Sequence, residues 1–196
     1  MLDEMKHRIN RIAPIVSRIF EPILVLPTLA FVGGVRAGLG QRELLFYALF
    51  LLCAILLPVG LFLLWRRNAK GIPWDMPERR TRIKPLLVLS GLTLVYFSVV
   101  PAFHNGILTR LFFLLTVWVI GFTVLTGRWK ISGHTGCLAL VVGLFVLWFG
   151  RTAWPLLLLV PLVGWARVSG KNHTVAEVIS GVVYSWLFLL VFGAPQ

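Results

Sequence analysis

Three short polar stretches hold most of the side chains in this chain that are suited to acid–base or phosphate chemistry: 75–85 (DMPERRTRIKP), 130–136 (KISGHTG) and 167–177 (RVSGKNHTVAE). In the third, His173 and Glu177 are four residues apart at the start of an apolar helix, so they share a face one turn apart. A carboxylate so placed accepts the imidazole N–H, fixes its tautomer and raises the basicity of the other nitrogen. Arg167, six residues earlier, lies in the loop feeding this helix, where a guanidinium can grip phosphate oxygens in a bidentate way. The second stretch puts Ser132, Gly133 and His134 where another helix begins. A small hydroxyl, a glycine that allows close backbone approach and the N–H groups of a helix N-terminus together make an anion site. His134 beside them is placed to donate a proton to a leaving oxygen. The first stretch packs Arg79, Arg80, Arg82 and Lys84 into six residues just before Pro85, a charge cluster able to neutralise a phosphate at headgroup level.

Each stretch also has a plain reading. Ser-Gly-His is more often structural than functional, basic loops beside membrane spans are usually topology determinants, and His-x-x-x-Glu on a helix can be a packing pair. What favours chemistry is coincidence: the three stretches fall on one face of the chain's topology, and two of them contain a histidine. His7 and His104 have no such setting and are read as incidental.

In combination the stretches resemble the type 2 phosphatidic acid phosphatase superfamily, an integral-membrane family that includes isoprenoid diphosphate phosphatases. Its signature is K-x6-R-P, then P-S-G-H, then S-R-x5-H-x3-D. Arg167-x5-His173-x3-Glu177 keeps the third spacing, and Ser132-Gly133-His134 keeps three positions of the second. Ile131 stands in place of the proline, Ala166 in place of the serine, and Glu177 in place of the aspartate. The first motif is closer to the D-x3-R-x2-R pattern of small prokaryotic members, running from Asp75 through Arg79 to Arg82, with Lys84 as the alternative ligand.

The resemblance implies a membrane lipid phosphatase acting through a phosphohistidine. His173 would be the nucleophile and Glu177 its orienting group, while His134 would protonate the departing group and then activate water. Arg79, Arg82 or Lys84, Arg167, Ser132 and the Gly133 N–H would hold the phosphoryl oxygens. The family works without a metal or other cofactor, and the acidic residues of this chain form no cluster suited to one. The expected partner is a phosphorylated lipid in the bilayer (phosphatidic acid, phosphatidylglycerol phosphate or an isoprenyl mono- or diphosphate), with no nucleic acid and with oligomeric state left open. The alternative is a non-catalytic lipid-phosphate-binding or transport protein on the same scaffold.

The elements that must position these residues are set by hydropathy. Of 196 residues, 58% are apolar and 13% charged, too few polar groups to cover a soluble domain of this length. A bilayer core of about 30 Å needs about 20 apolar residues of helix. Segments near 13–35, 44–65, 85–104, 108–127 and 174–194 satisfy that length. The stretch 135–166 is too long for one helix and short for two, and reads as two short or tilted spans near 133–149 and 153–166. The expected fold is an all-α polytopic bundle of six to seven hydrophobic helices in a single domain, 1–196, because backbone groups in lipid must pair internally. Residues 1–12 (Leu2, Met5, Ile9 and Ile12 on one side) read as an amphipathic interfacial lead-in that is retained, and 66–84 as a polar loop carrying the first motif. Cys53 and Cys137 read as small buried hydrophobes.

The net charge of +12 would suggest nucleic acid in a soluble protein, but here the basic residues sit between apolar runs, where anionic headgroups and phosphorylated lipids are better partners. With seven spans, the face holding all three polar stretches carries fifteen Lys and Arg and the opposite face four (Arg36, Arg42, Arg110, Arg151). The positive-inside rule then puts the three stretches on the cytoplasmic side of a prokaryotic cell membrane.

Overall fold

A computed structural model describes residues 2–68 and 78–193. The side chains of residues 2–10 and of Arg79 lie outside that description, as do Asp75, Pro73 and Pro77 of the polar loop. Every element among the described residues is helical: α1 (Leu2–Ile19), α2 (Pro22–Arg36), α3 (Gln41–Asn68), α4 (Arg79–Val99), α5 (Gly106–Arg128), α6 (Gly133–Phe149), α7 (Leu159–Ser169) and α8 (Val175–Phe192), with short 3₁₀ segments at 100–103 and 150–158. Six stretches are long and apolar enough to cross a membrane: Arg11–Arg36, Gln41–Asn68, Arg80–Phe103, Gly106–Arg128, Gly133–Ser169 and Val175–Phe192. The chain is a polytopic α-helical membrane protein.

Two expectations about these elements are refined. The first hydrophobic segment is not one helix, because α1 ends at Ile19 and α2 begins at Pro22. Proline is well suited to the first helical position, where no partner for its missing N–H is required. The polar loop is also shorter than 66–84, since α3 runs to Asn68 and α4 already begins at Arg79. Arg82 and Lys84 therefore lie in the first turns of a helix, with Arg82 half-buried and Lys84 exposed.

The chain divides into two compact units, one of residues 1–26 with 130–196 and the other of 27–129. In the second unit, polar side chains join the apolar helices α4 and α5. Ser90 Oγ and Thr123 Oγ1 are 3.0 Å apart, and Thr116 Oγ1 donates to the Thr93 carbonyl at 3.0 Å. Short hydroxyl bonds of this kind hold membrane helices together where lipid removes the hydrophobic drive for association. Asn105 caps α5 by accepting from the N–H groups of Ile107 and Leu108, and its Nδ2 donates to the Ala37 carbonyl. Tyr47 is fully buried, with its hydroxyl on the Ala30 carbonyl at 2.8 Å. Cys53 of this unit is exposed, contrary to expectation, while Cys137 of the other is buried. In a membrane helix an exposed apolar position faces lipid, so composition alone does not separate core from periphery.

The first unit carries the second and third polar stretches. Its long hydrophobic stretch, Gly133–Ser169, is a hairpin: a Cβ added at Gly164 of α7 would stand 3.9 Å from the Thr135 methyl near the start of α6. Helix α6 covers the expected 133–149, but the return arm runs as 3₁₀ helix through Leu158 before α7 begins. Helices α6 and α8 run parallel, because their contacts advance together. Gly181 faces the Ser132 carbonyl, Ser185 Oγ donates to the Gly136 carbonyl, Trp186 Nε1 donates to the Ala139 carbonyl, and Leu189 meets Gly143. Parallel α6 and α8, with α7 returning between them in sequence, bring two helix N-termini and one helix C-terminus to the same end of this unit.

Candidate functional site

That end of the first unit gathers Ser132, Gly133 and His134 at the start of α6, Arg167 in the last turn of α7, and His173 and Glu177 at the start of α8. The connection between α7 and α8 is tight. Lys171 adopts a left-handed backbone (φ 56°), and the Arg167 carbonyl accepts from both Asn172 N–H (3.1 Å) and His173 N–H (3.3 Å). The Ser132 N–H donates to the Glu177 carbonyl at 3.0 Å, which ties the start of α6 to the first turn of α8. The second and third motifs, some forty residues apart in sequence, are thus joined through backbone.

His173 and Glu177 meet as expected, though not by lying on one helical face. His173 precedes the helix, Thr174 is the N-cap, and Glu177 is the third helical residue. Thr174 and Glu177 form a reciprocal capping box: Glu177 N–H donates to Thr174 Oγ1 at 3.2 Å, and Thr174 N–H donates to Glu177 Oε2 at 3.2 Å. The same Oε2 lies 2.8 Å from His173 Nδ1. Glu177 therefore secures the helix start and orients the imidazole with one oxygen. With Nδ1–H donating to the carboxylate, the lone pair resides on Nε2, the arrangement required of a nucleophile or base. The His173 side chain is 1% exposed, so the ring is held by packing as well.

Arg167 is also almost wholly buried, at 1% exposure, and its Nη1 donates to Ser17 Oγ at 2.7 Å. A buried guanidinium is costly unless its donors are engaged, and the fork geometry of Arg suits planar oxyanions. Ser132 occupies the N-cap of α6 but makes no side-chain cap bond, and its Oγ is fully buried with no hydrogen-bond partner among the described residues. Serine at an N-cap ordinarily accepts from a first-turn N–H. A buried hydroxyl that forgoes this bond, beside the N-terminal amides of α6 and with the α8 N-terminus at the same end, suits an oxyanion. His134 is half-buried in the first turn of α6.

Sequence reasoning missed two residues of this cluster. Lys130 opens the second stretch but occupies no motif position, yet its Nζ lies 3.3 Å from Glu177 Oε2 and donates to the Asn172 carbonyl at 3.1 Å. Ser17 is a lone hydroxyl in a helix rich in isoleucine, and no local pattern marks it. Among the first-motif residues, Arg82 and Lys84 are placed within the other unit, in the first turns of α4, and the Arg79 side chain is outside the described residues. Among the described residues, no three His, Cys, Asp or Glu side chains come together as a metal site would require.

Comparison with protein-family models, with curated proteins and with solved structures gave no match.

Proposed function

We propose that this protein is a membrane lipid phosphate phosphatase that works through a phosphohistidine, a small prokaryotic-type relative of the type 2 phosphatidic acid phosphatases. The observation that carries the reading is the His173–Glu177 pair, with Nδ1 held at 2.8 Å by a carboxylate at the same end as buried Arg167 and Ser132. In the first step His173 Nε2 attacks phosphorus, the ester P–O bond breaks, and His134 gives its proton to the departing lipid oxygen. In the second, water attacks phosphorus while His134 takes a proton from it, the P–N bond breaks, and inorganic phosphate leaves. Arg167, Ser132 Oγ and the Gly133 N–H bear the charge on the non-bridging oxygens through both steps. The assignment of Arg79, Arg82 and Lys84 to those oxygens rests on the resemblance alone.

The substrate class is a phosphorylated lipid, since a site at the end of apolar helices meets the headgroup plane. The excess of basic residues on the face bearing the three polar stretches favours a cytoplasmic site in a prokaryotic cell membrane. Phosphate release by detergent-solubilised protein from a panel of phosphatidic acid, phosphatidylglycerol phosphate and isoprenyl phosphates tests the reading. His173→Ala is expected to abolish release from whichever lipid the wild type hydrolyses, and equal activity in the two proteins would sink the mechanism. Labelling of Asn172→Cys in intact cells by a membrane-impermeant thiol reagent is expected to fail, and ready reaction would move the site to the outer face.

A further inference from the structure

We propose that Ser17, on the N-terminal helix α1, is a positioning residue that aims the Arg167 guanidinium at the phosphoryl group, so that α1 is part of the phosphate grip; the inference rests on the phosphatase reading for the identity of that anion. Ser17 and Arg167 are separated by 150 positions in the chain, yet Arg167 Nη1 reaches Ser17 Oγ at 2.7 Å, and both residues are buried. Ala13, one turn before Ser17, is buried as well, so Ala13 and Ser17 form the face that α1 turns inward within its unit.

Among the described residues of α1, the exposed large side chains form two stripes. Ile12, Ile15 and Ile19 lie on one, and Arg11 and Arg18 lie on another. At 100° per residue the isoleucine stripe adjoins the basic one, which is the pattern of a helix lying in the membrane interface beside anionic headgroups. A helix seated at that level meets lipid phosphate where a headgroup phosphatase must work.

The chemistry of the contact favours positioning over mere packing. A guanidinium presents its five donors as a rigid fork, so fixing one nitrogen fixes the direction of the remaining N–H groups. The serine hydroxyl is a neutral acceptor, and this contact orients the fork without cancelling its charge. A carboxylate at the same position would capture the guanidinium instead, and alanine would leave its rotation unset.

The test uses full-length protein in detergent micelles, with inorganic phosphate as the probe and phosphatidic acid as the lipid. Phosphate affinity is read from the concentration dependence of the thermal unfolding midpoint. Ser17→Ala is expected to weaken phosphate binding by about tenfold, near the lower end of what one hydrogen bond to a charged group contributes. Ser17→Asp is expected to weaken it further, by about a hundredfold, with little loss of the phosphate-free midpoint because the new carboxylate pairs with Arg167. Wild-type affinity in Ser17→Ala, or equal affinity in the two variants, overturns the inference, as does a wild type that binds no phosphate. A wild type that binds phosphate in a Ser17-dependent way but releases none from any lipid of the panel supports the positioning role and overturns the phosphatase. Hydrolysis that is unchanged in kcat and KM by Ser17→Ala overturns the positioning role alone.

Discussion

Lys130 Nζ lies 3.3 Å from Glu177 Oε2, the oxygen that also receives His173 Nδ1 at 2.8 Å. Lys130 is thus one step removed from the imidazole and acts on it through the carboxylate. Its second bond, to the Asn172 carbonyl, fixes the backbone just before His173. Lys130→Met is expected to lower kcat by about tenfold, in the range found for groups that orient a functional imidazole. In a Glu177→Gln background the same change is expected to cost less than about twofold, because the shared ion pair is already gone. Independent, additive losses in that double-mutant cycle would show that Lys130 acts elsewhere.

Glu177 stands where the signature that this chain resembles has aspartate, and its extra methylene has a use. The carboxylate of the third helical residue must reach back to the Thr174 N–H and still meet His173 Nδ1. Aspartate at this position is too short to do both. Glu177→Asp is therefore expected to lower phosphate release by about tenfold to a hundredfold and to reduce stability by about 1 kcal/mol through loss of the cap. Thermal unfolding in detergent and a lipid phosphatase assay measure the two losses separately. Full activity in Glu177→Asp would mean that the capping role of Glu177 is separable from its hold on the imidazole.

How much of this was legible in sequence depended on the range of each interaction. Helix α6 follows from an unbroken apolar run ended by Gly150, and α8 from the polar turn before Thr174. The His173–Glu177 contact was legible because it spans four residues, although its vehicle is a capping box rather than a helical face. The break between α1 and α2 was signalled only by Pro22 beside Glu21, within a run apolar enough to read as continuous. Lys130 and Ser17 could not be read at all, because their partners Glu177 and Arg167 are brought to them by helix packing. Such contacts leave no periodicity in the chain.

The close approach of α6 and α8 depends on Gly181. A Cβ there would stand 2.7 Å from the Ser132 carbonyl oxygen, 3.2 Å from Thr135 Oγ1 and 3.3 Å from the Gly136 nitrogen. Two of those neighbours are backbone and cannot rotate aside, so the helices would have to separate. Gly181→Ala is expected to destabilise the protein by about 1–3 kcal/mol, as overpacking of a tight interface does. Because Ser132 N–H is bonded to the Glu177 carbonyl across the same interface, activity is expected to fall more than the folded fraction does. Specific activity unchanged after correction for folded protein would show that the start of α6 tolerates displacement.

The basic residues at the start of α4 separate two registers of the first motif. Under the D-x3-R-x2-R register, Arg82 grips a phosphoryl oxygen and Lys84 is a surface charge; under the K-x6-R-P register, Lys84 takes the role. Arg82 is half-buried and Lys84 exposed, and the first register is the one the resemblance implies. An exposed cation contributes little to a charge it does not touch, whereas a guanidinium that grips a phosphoryl oxygen contributes several kcal/mol in the transition state. Arg82→Ala is accordingly expected to lower kcat/KM by about a hundredfold or more, and Lys84→Ala by less than about threefold. Steady-state kinetics on the preferred lipid distinguish them, and the reverse order of losses would assign the phosphate contact to Lys84.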